Sequence, residues 1–239
     1  DFCLSRGLGD VYKRQHQAPQ TATASTTRSP QATASKPLPI AVASDVAFHF
    51  RYPEAGELLE ALGLQPVPWS PLADEALPPG SRAVLLPGGY PELHAAQLAG
   101  SQQSLNALRA AARHGLPIVA ECGGLLLLGR SLNDPFGMPH AMAGVLPFTA
   151  SRGALSLGYR QATAPADGLL VRRGERIWAH EFHRWQLHAL PQEQSLESHG
   201  APAVGKREQL WQVEGWGVAS RIEGWTTPNV HASWLHLHW

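Results

Sequence analysis

Lysine, cysteine and long apolar runs are scarce in this 239-residue chain. Lysine occurs only at Lys13, Lys36 and Lys206. None stands in the G-x-x-x-x-G-K-S/T context that cradles nucleotide phosphates, so the chain is not expected to perform an ATP-dependent step alone. A dominant charge is also missing, since 19 Lys and Arg balance 19 Asp and Glu. That balance excludes the basic footprint of a nucleic-acid binder and a polybasic membrane anchor. Two cysteines, Cys3 and Cys122, are too few for a disulfide framework and point to a reducing, cytoplasmic setting. No apolar run approaches the roughly 18 residues that span a bilayer, and no basic stretch leading into an apolar one marks a secretory signal. These absences leave a soluble protein with neither nucleic acid nor membrane as a partner.

What is present divides in two. Residues 1–37, which include the Ala, Thr, Ser, Gln and Pro tract "HQAPQTATASTTRSPQATASKP", bury too little apolar surface to offset their ordering entropy and read as a disordered N-terminal segment and linker. A linker predicts a further domain upstream. Residues 38–239 read as one folded domain. "PIAVASD", "QPVPWSP", "RAVLLPGG" and "PIVAE" are strand-like. Between them "YPEAGELLEALG", "YPELHAAQLAG" and "SQQSLNALRAAARHG" carry helical spacing. Strands alternating with helices predict an α/β fold, a mostly parallel central sheet with helices on both faces. After about residue 141 the pattern turns to strand-like pieces such as "GERIWAHEFHRW", "EQLWQVEGWGVAS" and "NVHASWLHLHW".

The stretch "PIVAECGGLLLLG" sets Cys122 between a strand and a helix, with small neighbours Ala120, Gly123 and Gly124. A side chain delivered at such a turn stands at the carboxyl edge of an open α/β sheet, where ligands bind. The helix start favours thiolate, and its free N–H groups can stabilise an oxyanion. A lone cysteine is otherwise a small buried hydrophobe; its position makes Cys122 the candidate nucleophile. Gly88 and Gly89 end a second apolar strand and could bring another N–H to the same oxyanion. Alone they read as an ordinary turn and gain weight only through Cys122. A cysteine acting on an amide needs a base. "WAHEFHRW" offers His180 and His183 around Glu181, while "ASWLHLHW" offers His236 and His238. His-Glu-Phe-His lacks the i, i+4 spacing of the helical zinc motif, so no metal site is predicted.

"GGYPEL", "AECGGLLLLG", "LGYR", "HEFH" and the terminal "ASWLHLHW", in that order over residues 87 to 239, resemble the glutamine amidotransferase domain of cobyrinate or hydrogenobyrinate a,c-diamide synthases, a class I, triad-type module with a flavodoxin-like fold. The resemblance implies that Cys122 attacks the side-chain amide of glutamine and that His236, in a segment like the family's Tyr-Leu-His, is the base. It implies that Gly88, Gly89, Gly123, Glu181 and His183 line the substrate site or, for the last two, the domain interface. The sequence departs from classical class I enzymes at one point. Their histidine is followed two residues later by a glutamate, and His238 stands there, leaving the third triad member unassigned. The resemblance further implies partners: glutamine, an upstream ATP-dependent synthetase domain that would hold ATP and magnesium, and a corrinoid acceptor. No cofactor is expected in this chain, and a homodimer stays open. Two other readings remain, a glutaminase subunit serving cobyric acid synthesis or a cell-wall precursor ligase, and an inactive amidotransferase-like interaction module.

Overall fold

Short apolar strands alternate with helices from Leu38 onward. β1 (Leu38–Ala43) is followed by α1 (Pro53–Ala61), β2 (Leu64–Trp69), β3 (Val84–Leu86), a 3-10 turn (Pro91–His94), α2 (Ala95–Gly100), α3 (Gln102–Arg113), β4 (Ile118–Glu121) and α4 (Gly123–Leu128). The computed structural model describes residues 36–190 and 208–237. Residues 1–35 of the segment read as a linker lie outside these, as does His238. α3 buries Leu105, Leu108, Ala111 and Ala112 at helical spacing, the stripe of a helix lying on a sheet. α4 differs in burying every residue, Gly123 to Leu128. A helix apolar all round belongs inside a core.

Five strands run parallel in the order β2-β1-β3-β4-β11, where β11 is Val230–Ser233. This is the flavodoxin-like 2-1-3-4-5 order, whose ligand crevice lies beyond the carboxyl ends of the strands. Those ends carry Gly88 and Gly89 after β3 and Cys122 after β4.

The second half of the chain extends this sheet with antiparallel strands. β7 (Phe148–Thr163) and β8 (Arg176–Ala189) form a long hairpin, and β9 (Glu208–Gly215) and β10 (Val218–Thr227) another. β5 (Ser131–Asn133) and β6 (Pro139–Ala141) are short additions beside β7. β7 has no counterpart among the strand-like pieces read from the sequence. Its glycines at 153 and 158 and its register shift between Arg152 and Ser156 break the alternation that marks a strand.

β12 (Leu235–Leu237) continues β11 after one interruption, Trp234, and changes partner from β10 and β4 to β8. The run β8-β7-β9-β10-β11 therefore closes on itself through β12. A second core of Ala162, Ala179, Leu210, Trp211, Leu235 and neighbours fills this ring, beside the main core around α4 and the parallel strands.

Candidate active site

Cys122 takes φ 48° and ψ −109°, an unusual conformation for a residue with a side chain. Such backbone costs on the order of 1–3 kcal/mol and persists only where the surroundings impose it. Here they do. The Cys122 N–H donates to the Ser233 carbonyl at 2.8 Å, and its own carbonyl accepts from Leu125 N–H at 3.0 Å as the first turn of α4. A Cβ on Gly124 would fall 2.1 Å from the Leu86 carbonyl oxygen, and one on Gly123 would fall 2.8 Å from both N and O of Gly89. The glycine pair thus lets the start of α4 press against β3 and the loop after it.

That loop is held from the other side. Asp45 accepts the N–H groups of Ala47 and Phe48 at 2.9 and 3.2 Å. The turn so formed meets the glycine loop through Phe50 N–H to Gly88 O at 3.0 Å and Tyr90 N–H to Ala47 O at 3.0 Å. Gly88 then faces His236, where an added Cβ would lie 2.4 Å from Cε1 of the ring. Phe50 stands edge-on to the same ring at 4.7 Å. The structure therefore brings Cys122, Gly123, Gly88, Gly89 and His236 into one cluster. No motif in the sequence marks Phe50 or Asp45, which follow β1 at the carboxyl edge of the sheet.

Glu181 and His183 are placed differently. On β8 the side chains alternate, and register pairs His236 with His180 and Leu235 with Glu181. His180 and Phe182 consequently share the face of His236, and Glu181 and His183 share the interior of the ring. The Cys122 sulfur approaches β8 through the Phe182 carbonyl oxygen at 3.5 Å. Within the ring, fully buried Glu181 accepts from Arg160 Nε at 2.7 Å and from Arg221, and pairs with His183 Nε2 at 2.9 Å. His183 also bonds the Trp185 carbonyl at 2.7 Å and stacks on Trp234 at 3.9 Å. Although burial raises it, the hydrogen bonds from His183 and Arg221 and the charges of those two groups hold the Glu181 carboxyl far below its usual range. A cavity of about 540 Å³ opens here, lined by Glu181, His183, Arg221, Trp225 and Trp234 among others, with Cys122, Gly88 and His236 outside its wall.

The electrostatics at the sulfur favour a resting thiol. Burial pushes the Cys122 pKa up to about 12; the Gly123 N–H opposes this, and the carboxyl groups of Glu92, Glu121 and Glu181 add to it. Glu121, beside the cysteine, is itself pushed up to about 7 by burial, against which Leu237 N–H donates to it at 3.4 Å. A thiol so placed needs its proton taken at the moment of attack, which is the task of a neighbouring imidazole. Among the described residues no group of three or more His, Cys, Asp and Glu is set to hold a metal ion, and no helix is long and apolar enough to cross a membrane.

The chain is 41% identical over 229 residues to the cobyrinate a,c-diamide synthase of Gloeobacter violaceus, a match covering 94% of this chain and 46% of that one. It is 40% identical over 202 residues to the hydrogenobyrinate a,c-diamide synthase of Thermobifida fusca, covering 84% and 39%. The chain thus spans about half the length of the curated relatives it matches. Among solved structures, PurLQS from Thermotoga maritima aligns with a TM-score of 0.55 at 16% identity over 85% of this chain and 88% of that one. A glutamine amidotransferase from Methylobacillus flagellatus aligns with 0.52 at 14% identity, covering 84% and 70%. At such identities the likeness speaks for the fold. The family model for the CobB/CobQ-like glutamine amidotransferase domain matches residues 39–239, and this chain belongs to that family.

Proposed function

We propose that this domain hydrolyses glutamine and supplies the ammonia to an ATP-dependent synthetase that amidates the a- and c-acetate carboxylates of cobyrinate or hydrogenobyrinate. The observation that carries this reading is the elbow at Cys122, with φ 48°, built against the glycine loop that also touches His236. His236 takes the thiol proton as sulfur adds to the glutamine amide carbon. The oxygen of the tetrahedral species takes negative charge, and in this reading the backbone N–H groups of Gly89 and Gly123 are its donors. Collapse breaks the C–N bond, with the proton on His236 returning to nitrogen so that ammonia leaves and a glutamyl thioester remains. Water, deprotonated by the same imidazole, cleaves the thioester to glutamate and restores the thiol. ATP, magnesium and the corrinoid belong in this reading to the synthetase, whose counterpart is the other half of the relatives' length. The names of those relatives support the acceptor. A reducing cytoplasm keeps Cys122 a thiol.

The test is intact-mass spectrometry after exposure to 6-diazo-5-oxo-norleucine, a glutamine-like electrophile, with peptide mapping. A single adduct on Cys122, blocked by excess glutamine and lost in Cys122→Ser with the fold intact, is the expected result. An adduct elsewhere, or unaltered glutamine hydrolysis by Cys122→Ser, would remove the nucleophile assignment.

A further inference from the structure

β11 and β12 are one extended stretch broken at Trp234, and the break lies between the two residues that the proposed reaction must bring together. At such a change of partner the backbone loses its ladder bonds, and buried N–H groups must find other acceptors. A single carboxylate meets this need. Glu223, on β10 and 7% exposed, accepts Trp234 N–H at 2.6 Å through one oxygen and Ser233 Oγ–H at 2.7 Å through the other. Ser233 Oγ in turn accepts Leu235 N–H at 3.0 Å.

Both sides of the break are thereby fixed to one group. On the near side, the Ser233 carbonyl holds the Cys122 N–H at 2.8 Å, so the position of Ser233 sets the nucleophile's backbone. On the far side, Leu235 starts the three-residue strand whose middle residue is His236. Gly224 beside it, at φ 78°, lets β10 lie close, since a Cβ there would fall 2.8 Å from the Ala232 carbonyl oxygen. Register adds that Glu223 reaches across from β10, an element that touches neither Cys122 nor His236 in the ladder.

We propose that Glu223 is a positioning residue for glutamine hydrolysis, setting the distance between Cys122 and His236 by clamping the strand break at Ser233 and Trp234. The proposal rests on the reading of Cys122 and His236 as nucleophile and base. The clamp requires two hydrogen-bonding atoms on one planar group, an acceptor for the Trp234 N–H and a partner for the Ser233 hydroxyl. An amide preserves the clamp, accepting from Trp234 N–H through its oxygen and donating to Ser233 Oγ through its nitrogen. An alkyl group of similar size leaves both protein donors buried and unmatched.

The experiment compares Glu223→Gln and Glu223→Leu with the wild-type chain in saturable labelling of Cys122 by 6-diazo-5-oxo-norleucine, separating the inhibitor's half-saturation from the maximal labelling rate, with thermal melting alongside. The expected result is a maximal rate at least tenfold lower in Glu223→Leu with half-saturation little changed, and a rate within about threefold of wild type in Glu223→Gln. A purely structural role would reduce the fraction of chain that labels and leave the rate of that fraction alone. Folded Glu223→Leu labelling at the wild-type rate overturns the proposal, as does Glu223→Gln falling as far as Glu223→Leu. Should Glu223→Leu not fold, Ser233→Ala removes one of the two links, and an unchanged maximal rate in it has the same meaning. Wild-type chain that takes no label on Cys122 sinks the glutaminase reading itself, and the positioning role with it.

Discussion

Gly88 is the residue where a methyl group would strike the proposed base directly. A Cβ there would sit 2.4 Å from the His236 ring, a separation that only movement of the ring relieves. Gly88→Ala is therefore expected to lower glutamine hydrolysis by a hundredfold or more while shifting the melting temperature by only a few degrees, about what 1 kcal/mol does in a domain of this size. Equal losses in activity and melting temperature would argue for general unfolding in place of a displaced base. His236→Ala should likewise cost far more in rate than His183→Ala, and the reverse ranking in a steady-state assay would move the base to the interior of the ring. Much at this scale was readable from the sequence, because Cys122 sits in a local strand, glycine and helix pattern. Glu223, Arg160 and Arg221 were not, since their partners are set by strand register across tens of residues. The segment "HEFH" is an intermediate case. Its period of two already separates His180 and Phe182 from Glu181 and His183, but which pair faces the sulfur depends on the pairing with β12.

Between elements, the Glu181 network ties β7, β8 and β10 together inside the ring. Arg160 and Glu181 are 3% and 0% exposed, and a buried pair broken on one side leaves an uncompensated charge. Glu181→Ala should destabilise the domain by roughly 3–5 kcal/mol in denaturant unfolding. A loss below about 1 kcal/mol would mean that water or a neighbour replaces the carboxylate. The parallel half was legible element by element from its alternation of strands and helices, whereas β7 was not. Sixteen residues rich in Ser, Gly and Ala carry the longest strand of the domain, and what makes them a strand is the hairpin partner β8.

For the whole molecule, the buried acids predict how stability responds to pH. Glu121 and Glu223 are both pushed up to about 7, from an ordinary carboxyl value of 4.5 that applies once the chain unfolds. Each raised group contributes stability that is present below pH 4.5 and lost as pH rises toward 7. His231, buried and pushed down to about 4 from 6.5, acts in the opposite sense, its contribution being lost as pH falls from 6.5 toward 4. Two groups against one leave a net loss on raising pH from 5 to 7.5, on the order of 3 kcal/mol at most at ~1.4 kcal/mol per pKa unit. Chemical denaturation at the two pH values should show it, and Glu223→Gln should remove most of the difference. A domain more stable at pH 7.5 than at pH 5 would contradict the protonation of these carboxyl groups.

The strand that bears His236 is three residues long. Among the described residues its ladder partner is β8, with Glu121 reaching its backbone at Leu237 and Ser233 Oγ at Leu235. Leu235 and Leu237 are buried in the second core, so lifting the strand from β8 exposes both and costs about what opening the ring itself costs. The proposed base is therefore expected to stay in place for as long as the ring holds, whatever the state of the helices beside the parallel strands. A substitution in β8 that loosens the ring is expected to lower the proposed glutamine hydrolysis before any loss of helix signal, with hydrogen exchange at residues 235–237 following the activity more closely than the melting curve does.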